Sequence, residues 1–190
     1  MEIILRGLAI LLIVGRILYW LVTEKRANLI KPKLKKATFT EHFRRLASTI
    51  AAVIIVLQLF GLHLFPFPIS PALLLTGMGL LLTGTIIMVV ARIELGNNWT
   101  HAADYQIRKN QDLVTTGIYS YIRNPIYSGA LLVFIGAELI AGSFLVILCV
   151  PIFIGGYIQA KREERILERQ FGKNYEKYKK NSKMFFPYII

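Results

Sequence analysis

The stretch Gly117-Ile-Tyr-Ser-Tyr-Ile-Arg-Asn-Pro-Ile-Tyr127 contains three tyrosines, an arginine and a proline directly before a long apolar run. The apolar run extends to Ile158, and a second polar stretch follows it from Gln159 to Tyr178. If the run folds as a hairpin that enters a bilayer and returns, the two polar stretches emerge at the same end and face one another. The sequence therefore predicts a site where these stretches meet, at a membrane surface.

The composition is that of an integral membrane protein. Of the 190 residues, 55% are hydrophobic, and the mean hydropathy is +0.52. A membrane-spanning helix needs about 20 mostly apolar residues, and runs of that length occupy more than half of the chain. We predict an all-α integral membrane protein with a single domain over residues 1–190, in which residues 1–91 form three N-terminal spans.

Five apolar segments are candidate spans, of which the first three cover residues 3–22, 46–65 and 72–91. Residues 127–158 are too long for one crossing, because a single helix would extend about 48 Å against a hydrocarbon core of about 30 Å. The sequence Ala141-Gly142-Ser143 offers a break, so we predict two helices that meet there. The tail over residues 161–180 has apolar side chains at helical spacing, which predicts a C-terminal amphipathic helix on the cytoplasmic membrane surface.

The basic residues predict the orientation. The formal net charge is +12, and Lys and Arg number eight in residues 25–45, four in residues 92–123 and nine in residues 161–183. The turns at residues 65–71 and 141–143 have none. Because basic loops remain in the cytoplasm, we predict an N-terminus outside and a cytoplasmic C-terminus and site. Topology and attraction to anionic lipid explain the charge, so we expect the bilayer, and no nucleic acid, as a partner.

Charged and small residues within the spans have alternative interpretations. Arg6 can extend its side chain to the outer interface. Arg16 lies deeper, and it is either an interfacial residue at the inner end or a buried residue that is paired or beside a water-filled cavity. Gly77, Gly79, Thr83 and Gly84 in the third span predict close packing against a neighbouring helix.

Metal-ligand and nucleophile patterns are absent from the sequence. The three histidines are far apart, and the single cysteine, Cys149, lies in an apolar run. We therefore predict no metal site. Glu163 and Glu164 are adjacent, so on a helix they point about 100° apart and do not form a matched acid/base pair.

The cluster predicted at the inner face suits a zwitterionic cofactor together with an amphipathic substrate. Arg123 could bind an anion, a glutamate could bind a cation or ribose hydroxyls, and Tyr119, Tyr121 and Tyr127 could contact rings or apolar tails. Arg and Tyr at the end of a span are also ordinary interfacial anchors. Both interpretations stay open from the residues alone.

A longer sequence pattern favours the ligand-binding interpretation over simple interfacial anchors. It reads Gly117-x-Tyr119-x-x-x-Arg123-Asn124-Pro125-x-Tyr127, then the apolar hairpin, then Glu163-Glu164-x-x-Leu167-x-x-x-Phe171-Gly172-x-x-Tyr175-x-x-Tyr178 and Phe186-Pro187. With Leu95-Gly96-Asn97-Asn98-Trp99 and Leu113-Val114 before it, this order of motifs resembles the isoprenylcysteine carboxyl methyltransferase family. The resemblance covers roughly the second half of the chain.

The resemblance implies an S-adenosylmethionine-dependent membrane methyltransferase, with residues 92–190 as the cofactor-binding region. Its acceptor would be a membrane lipid or a prenylated or other amphipathic small molecule that enters laterally between helices. Arg123 is the implied catalytic residue, and Gln159 and Arg162 are the implied substrate contacts. The implied cofactor contacts are Gln111, Asp112, Leu113, Val114, Tyr119, Asn124, Pro125, Ile126, Tyr127 and Glu163.

The chain departs from the family pattern at three positions. The family usually has histidine at Asn124 and often a basic or polar residue similar to histidine at Gln111. Its eukaryotic members have an arginine at Gln159, where it would meet the substrate carboxylate. Lys161, Arg162 and Arg123 are alternatives for that contact.

Four functions remain open. Isoprenylcysteine-type carboxyl O-methylation follows the resemblance most directly, and the missing arginine at Gln159 is less troublesome for a phospholipid amine N-methyltransferase. A nicotinamide-dependent protein similar to sterol reductases is disfavoured, since those chains are longer and have extra spans. A non-catalytic lipid-binding membrane protein is the fourth alternative.

Overall fold

The computed structural model describes residues 1–30, 39–98 and 112–187. Within these ranges the chain is helical and contains no strand. The α-helices are α1 (Glu2–Ile30), α2 (Phe39–Leu59), α3 (Pro71–Leu95), α4 (Pro125–Ala141), α5 (Cys149–Phe171) and α6 (Lys173–Asn181). Short 3-10 helices cover Gly96–Asn98, Gly117–Ser120 and Phe144–Leu148.

Three helical segments are long and apolar enough to cross a membrane, namely Glu2–Thr23, Pro71–Leu95 and Phe144–Phe171. Leu46–Leu59 and Pro125–Ala141 are apolar but shorter. The prediction of an all-helical fold is confirmed for the described residues, which include helices able to span a membrane. The count of five spans depends on the two shorter helices and stays a prediction.

Helices α3 and α4 pack through facing glycines. A Cβ atom at Gly84 would come within 2.5 Å of the Gly129 carbonyl oxygen, and one at Gly77 would come within 2.8 Å of the Gly136 carbonyl oxygen. The helices therefore touch backbone to backbone, as small residues allow. The prediction of close packing is confirmed for Gly77 and Gly84, whereas a Cβ at Gly79 would meet no described atom within 4 Å.

The long apolar run is broken at the predicted position. Helix α4 ends at Ala141, and Gly142 has a φ of +67°, in the left-handed region that favours glycine. The Ser143 hydroxyl donates to the Leu64 carbonyl at 2.9 Å, and the Phe67 N–H donates to the Gly142 carbonyl at 2.8 Å. These bonds join the α2–α3 turn to the α4–α5 turn at one end of the bundle.

The charged tail differs from its predicted form. We expected one amphipathic helix over residues 161–180, but α5 continues through this segment as far as Phe171. No proline or glycine interrupts the helix there before Gly172, whose φ of +50° ends it. Helix α6 follows with nine residues, so the charged segment is partly the end of α5 and partly a short separate helix.

Two buried polar contacts lie away from the predicted site. Arg6 is 8% exposed and forms an ion pair with Glu2 at 2.9 Å, and its place at the outer interface stays a prediction. The amide of Gln58 on α2 donates to the Glu138 carboxylate on α4 at 3.0 Å. Glu138 is thus paired across two helices.

Candidate active site

A cavity of about 470 Å³ lies where α3 ends and α4 begins. Since α3 and α4 run in opposite directions between this point and the joined turns, the cavity is at the other end of the bundle. Its walls also include α5 and α6. The two polar stretches do meet, as the hairpin geometry predicts.

Every predicted cofactor residue that the structure describes lines this cavity, and Arg123 does too. The set is Asp112, Leu113, Val114, Tyr119, Arg123, Asn124, Pro125, Ile126, Tyr127 and Glu163. Gln111 lies outside the described residues. The two predicted substrate contacts do not line the cavity: Gln159 is half-buried beside Glu163, and Arg162 is exposed.

Tyr127 and Gln159 are described donors to the Glu163 carboxylate. The Tyr127 hydroxyl donates to its Oε1 at 2.7 Å, and the Gln159 amide, one helical turn earlier on α5, donates to the same oxygen at 3.0 Å. These bonds fix the orientation of a half-buried carboxylate on the cavity wall. A carboxylate so placed can accept hydrogen bonds from hydroxyl or ammonium groups of a ligand.

Glu164 has a different partner. It is 2% exposed, and its Oε1 lies 2.6 Å from Nε of Arg123. Arg123 Nη1 also donates to the backbone carbonyls of Lys179, at 3.2 Å, and Ser182. Arg123 therefore links α5, α6 and the chain after α6, which are the contacts of an anchor.

The C-terminal segment, residues 182–187, is hydrogen-bonded to the backbone just before α4. The N–H groups of Arg123 and Asn124 donate to the carbonyls of Lys183 and Met184 at 2.8 and 3.0 Å, and the Asn124 side-chain amide donates to Met184 at 3.3 Å. Phe185 is 2% exposed, so its ring anchors the segment in the core. The asparagine that replaces the family's histidine thus bonds the C-terminal segment.

Tyrosines form another wall of the cavity. The Tyr178 hydroxyl donates to the Tyr119 carbonyl at 2.7 Å, and the rings of Tyr175 and Tyr178 lie 5.8 Å apart, edge to face. Burial raises the pKa of the Tyr178 phenol, although the nearby Arg123 charge acts in the opposite direction. Tyr178 therefore remains a hydrogen-bond donor at neutral pH.

The first half of the chain also contributes to the cavity, which motif reasoning missed. Arg16 and Trp20 of α1, Ser48 of α2 and Met88 of α3 line it. None of them belongs to a local motif with a known spacing. The available signal was Arg16, a cation inside an apolar helix, which is by default a candidate functional residue.

The lining residues fit an adenosyl cofactor. The volume is in the range of about 300–1,000 Å³ that small-molecule sites occupy. Carboxylates of Glu163 and Asp112 suit ribose hydroxyls or an amino group, and the tyrosine rings suit a heterocycle or a sulfonium cation. Among the described residues, no group of three His, Cys, Asp or Glu could hold a metal ion.

The chain also matches a known family. Residues 72–174, more than half of the chain, match the phospholipid methyltransferase family. The chain belongs to this family. The resemblance to isoprenylcysteine carboxyl methyltransferases is also confirmed, since curated relatives have that name.

The protein-S-isoprenylcysteine O-methyltransferase of Schizosaccharomyces pombe is 28% identical over 60% of this chain and 49% of its own length. The Xenopus laevis enzyme of the same name is 32% identical over 60% of this chain and 40% of its own. This member of the phospholipid methyltransferase family thus matches about half the length of those relatives. A solved eukaryotic intramembrane Ras methyltransferase, isoprenylcysteine carboxyl methyltransferase, shares the fold with a TM-score of 0.59 at 19% identity, over 85% of this chain and 60% of that one.

Proposed function

We propose that this protein transfers the methyl group of S-adenosylmethionine to an amphipathic acceptor at the membrane surface, by isoprenylcysteine-type carboxyl O-methylation. The observation that carries the proposal is a cavity that both polar stretches line together, with Glu163 oriented by Tyr127. The similarity to protein-S-isoprenylcysteine O-methyltransferases supports the carboxyl acceptor. The acceptor would be a prenylated or similar small molecule or a membrane lipid.

The cofactor would supply a methyl group bonded to a sulfonium sulfur, which a carboxylate can attack without a strong base. We assign its binding to residues 111–114, Tyr119, residues 124–127 and Glu163. Glu163 would accept hydrogen bonds from the cofactor, and the tyrosines would cover its rings. The chain's own task is then to orient the two reactants and to exclude water.

For Arg123 the contacts support a positioning role. Its bonds to Glu164 and to the tail carbonyls hold the wall that carries Asn124 and Tyr127. The catalytic role implied by the resemblance stays a prediction. Gln159 would act through Glu163, and the exposed Arg162 would meet an acceptor only outside the cavity.

In the membrane, we propose five spans with the N-terminus outside and the cavity facing the cytoplasm. The joined turns at one end of the bundle have no Lys or Arg, whereas Arg92, Arg123 and the basic residues of 161–183 lie toward the cavity end. Such an asymmetry orients a helical membrane protein. It would also place the cavity between the cytosol, which supplies the cofactor, and the lipid, which supplies the acceptor.

Phospholipid amine N-methylation is the second candidate. The family match favours it, and so does Gln159, which supplies no cation for a carboxylate. The cavity would be the same in this case. The difference would lie in the acceptor atom, a nitrogen instead of a carboxylate oxygen.

Calorimetry with S-adenosylhomocysteine tests cofactor use, and reduced nicotinamide dinucleotide phosphate is the control ligand. We expect binding of the first and none of the second. Purified protein with radiolabelled S-adenosylmethionine is then offered N-acetyl-S-farnesylcysteine or phosphatidylethanolamine. If alkali releases the radiolabel as methanol, the product is a methyl ester. Alkali-stable label in phosphatidylethanolamine would establish the amine alternative. If calorimetry detects no binding of S-adenosylhomocysteine, both functions are refuted.

A further inference from the structure

A second cavity, of about 510 Å³, adjoins the first. It lies between α1 and α2, and its walls are mostly aliphatic, with Ile17 and Leu21 on α1 facing Val53 and Val56 on α2. Arg16, together with Trp20 and Ser48, lines both cavities. The Arg16 guanidinium therefore lies where an apolar groove opens into the candidate active site.

The described contacts of Arg16 compensate its positive charge only weakly. Its Nη1 lies 4.0 Å from the Met88 sulfur, and a thioether is a weak acceptor. Its Nε is buried and has no hydrogen-bond partner among the side chains that the structure describes, and none of the described carboxylates forms an ion pair with Arg16. Because an unpaired guanidinium inside an apolar helix is costly, an anionic ligand would satisfy it.

The other cations near the site are already engaged or face elsewhere. Arg123 is paired with Glu164 at 2.6 Å. Lys161 lies over the Tyr157 ring, 5.6 Å from its centroid, and Arg162 is exposed away from the cavity. Arg123, Lys161 and Arg162 do not line both cavities, whereas Arg16 does.

We propose that Arg16 binds the carboxylate of the methyl acceptor while the acceptor's hydrocarbon chain lies in the groove between α1 and α2. This inference rests on the proposed function and names the residue that recognises the acceptor in place of an arginine at Gln159. A guanidinium suits the task, because it binds a carboxylate through two parallel hydrogen bonds. The aliphatic groove suits a prenyl or acyl chain.

The assignment also explains product release. One carboxylate oxygen forms the new C–O bond, the methyl–sulfur bond breaks with its electron pair going to sulfur, and no proton moves. The negative carboxylate becomes a neutral ester. Arg16 then loses its charged partner and holds the product less strongly than the substrate.

The test compares binding of radiolabelled N-acetyl-S-farnesylcysteine and its methyl ester to purified protein in nanodiscs, without cofactor. Arg16→Gln should weaken binding of the acid about tenfold or more, as expected for loss of hydrogen bonds to a charged group, and leave ester binding within about twofold. Arg16→Lys should retain part of the preference for the acid. Arg6→Gln, on the same helix but outside both cavities, is the matched control and should leave the acid affinity unchanged.

Measurements of S-adenosylhomocysteine affinity and thermal stability distinguish binding of the acceptor carboxylate by Arg16 from a cofactor contact or a structural role. We expect both to be unchanged in Arg16→Gln, or stability to rise, since Arg16 makes no ion pair that the variant would lose. Unchanged acid binding would overturn the proposal. A loss of S-adenosylhomocysteine affinity with acid binding intact would instead make Arg16 a cofactor contact. Weaker binding of phosphatidylethanolamine alone would make it a contact for a lipid phosphate. A fall in stability with loss of every ligand would assign it a structural role.

The acid-binding measurement does not depend on methyl transfer. If wild-type protein binds no S-adenosylhomocysteine, the proposed function fails, and the comparison of acid with ester still decides whether Arg16 is an anion site. If wild-type protein binds the cofactor analogue and Arg16→Gln keeps its preference for the acid, only the present inference fails.

Discussion

Two adjacent glutamates have different environments although both line the cavity. Successive residues of a helix point about 100° apart, so Glu163 meets Tyr127 while Glu164 meets Arg123. The sequence predicted that the pair would not act as a matched acid and base. Their partners, which lie 36 and 41 residues away, were decided by the tertiary structure.

Glu163→Ala should reduce affinity for S-adenosylhomocysteine by about 2 kcal/mol or more, because a charge-assisted hydrogen bond is lost. Calorimetry measures this value. The melting temperature of the cofactor-free protein should change little, since Glu163 is only half-buried and Tyr127 can turn its hydroxyl to water. An unchanged affinity would reject Glu163 as a cofactor contact.

Glu164→Gln should instead lower stability, by about 3 kcal/mol, because it removes the carboxylate partner of a buried Arg123. Thermal unfolding in detergent checks the change. Replacement of the exposed Arg162 by glutamine on the same helix is the matched control and should leave the melting temperature within about 1 °C, as for most surface changes. If Glu164→Gln melts like the wild type, the ion pair does not anchor the wall.

At the scale of elements, the packing of α3 on α4 sets the position of the site. Facing glycines bring the two backbones into contact, and the cavity opens where α3 ends at Leu95 and α4 begins at Pro125. The glycines of α3 were recognisable in the sequence as a packing face. Their partners Gly129 and Gly136 could not be assigned, because spacing along one helix does not identify its neighbour.

Gly84→Ala should destabilise the protein by about 2 kcal/mol, because the new methyl group would overlap the Gly129 backbone. Gly79→Ala, on the same helix, should be neutral or slightly stabilising, since alanine favours a helix over glycine and its Cβ has space. Thermal unfolding of both variants provides the comparison. Equal losses for the two would show that helix content, and not the contact with α4, governs stability.

The C-terminal segment is a second structural support for the site. Phe185→Ala should destabilise the folded protein by about 3 kcal/mol, as removal of a buried aromatic ring does. Affinity for S-adenosylhomocysteine should fall together with stability, because residues 123 and 124 would lose the backbone carbonyls that accept their hydrogen bonds. Phe65→Ala removes a ring that is 68% exposed and should leave cofactor affinity unchanged.

At the scale of the whole molecule, the joined turns and the cavity lie at opposite ends of one bundle. Cys149 is the only cysteine, so a Cys149→Ser background permits labelling of single introduced thiols. In intact cells, a membrane-impermeant maleimide should label His63→Cys and spare Lys173→Cys, and should label both after permeabilisation. The reverse pattern would invert the proposed orientation.

The sequence by itself predicted the helical membrane class and the break at Gly142, since apolar length and a helix-ending glycine are local properties of the chain. Its resemblance to a known family implied about half of the residues that line the cavity. The sequence did not determine that residues 161–171 extend α5, because charge pattern marks an exposed surface and does not show where a helix separates from the preceding one. It also did not reveal that Arg16, Trp20 and Ser48 reach the cavity. Only the tertiary structure decided that, because α1 and α2 approach the site through packing between distant segments, which leaves no spacing in the sequence to read.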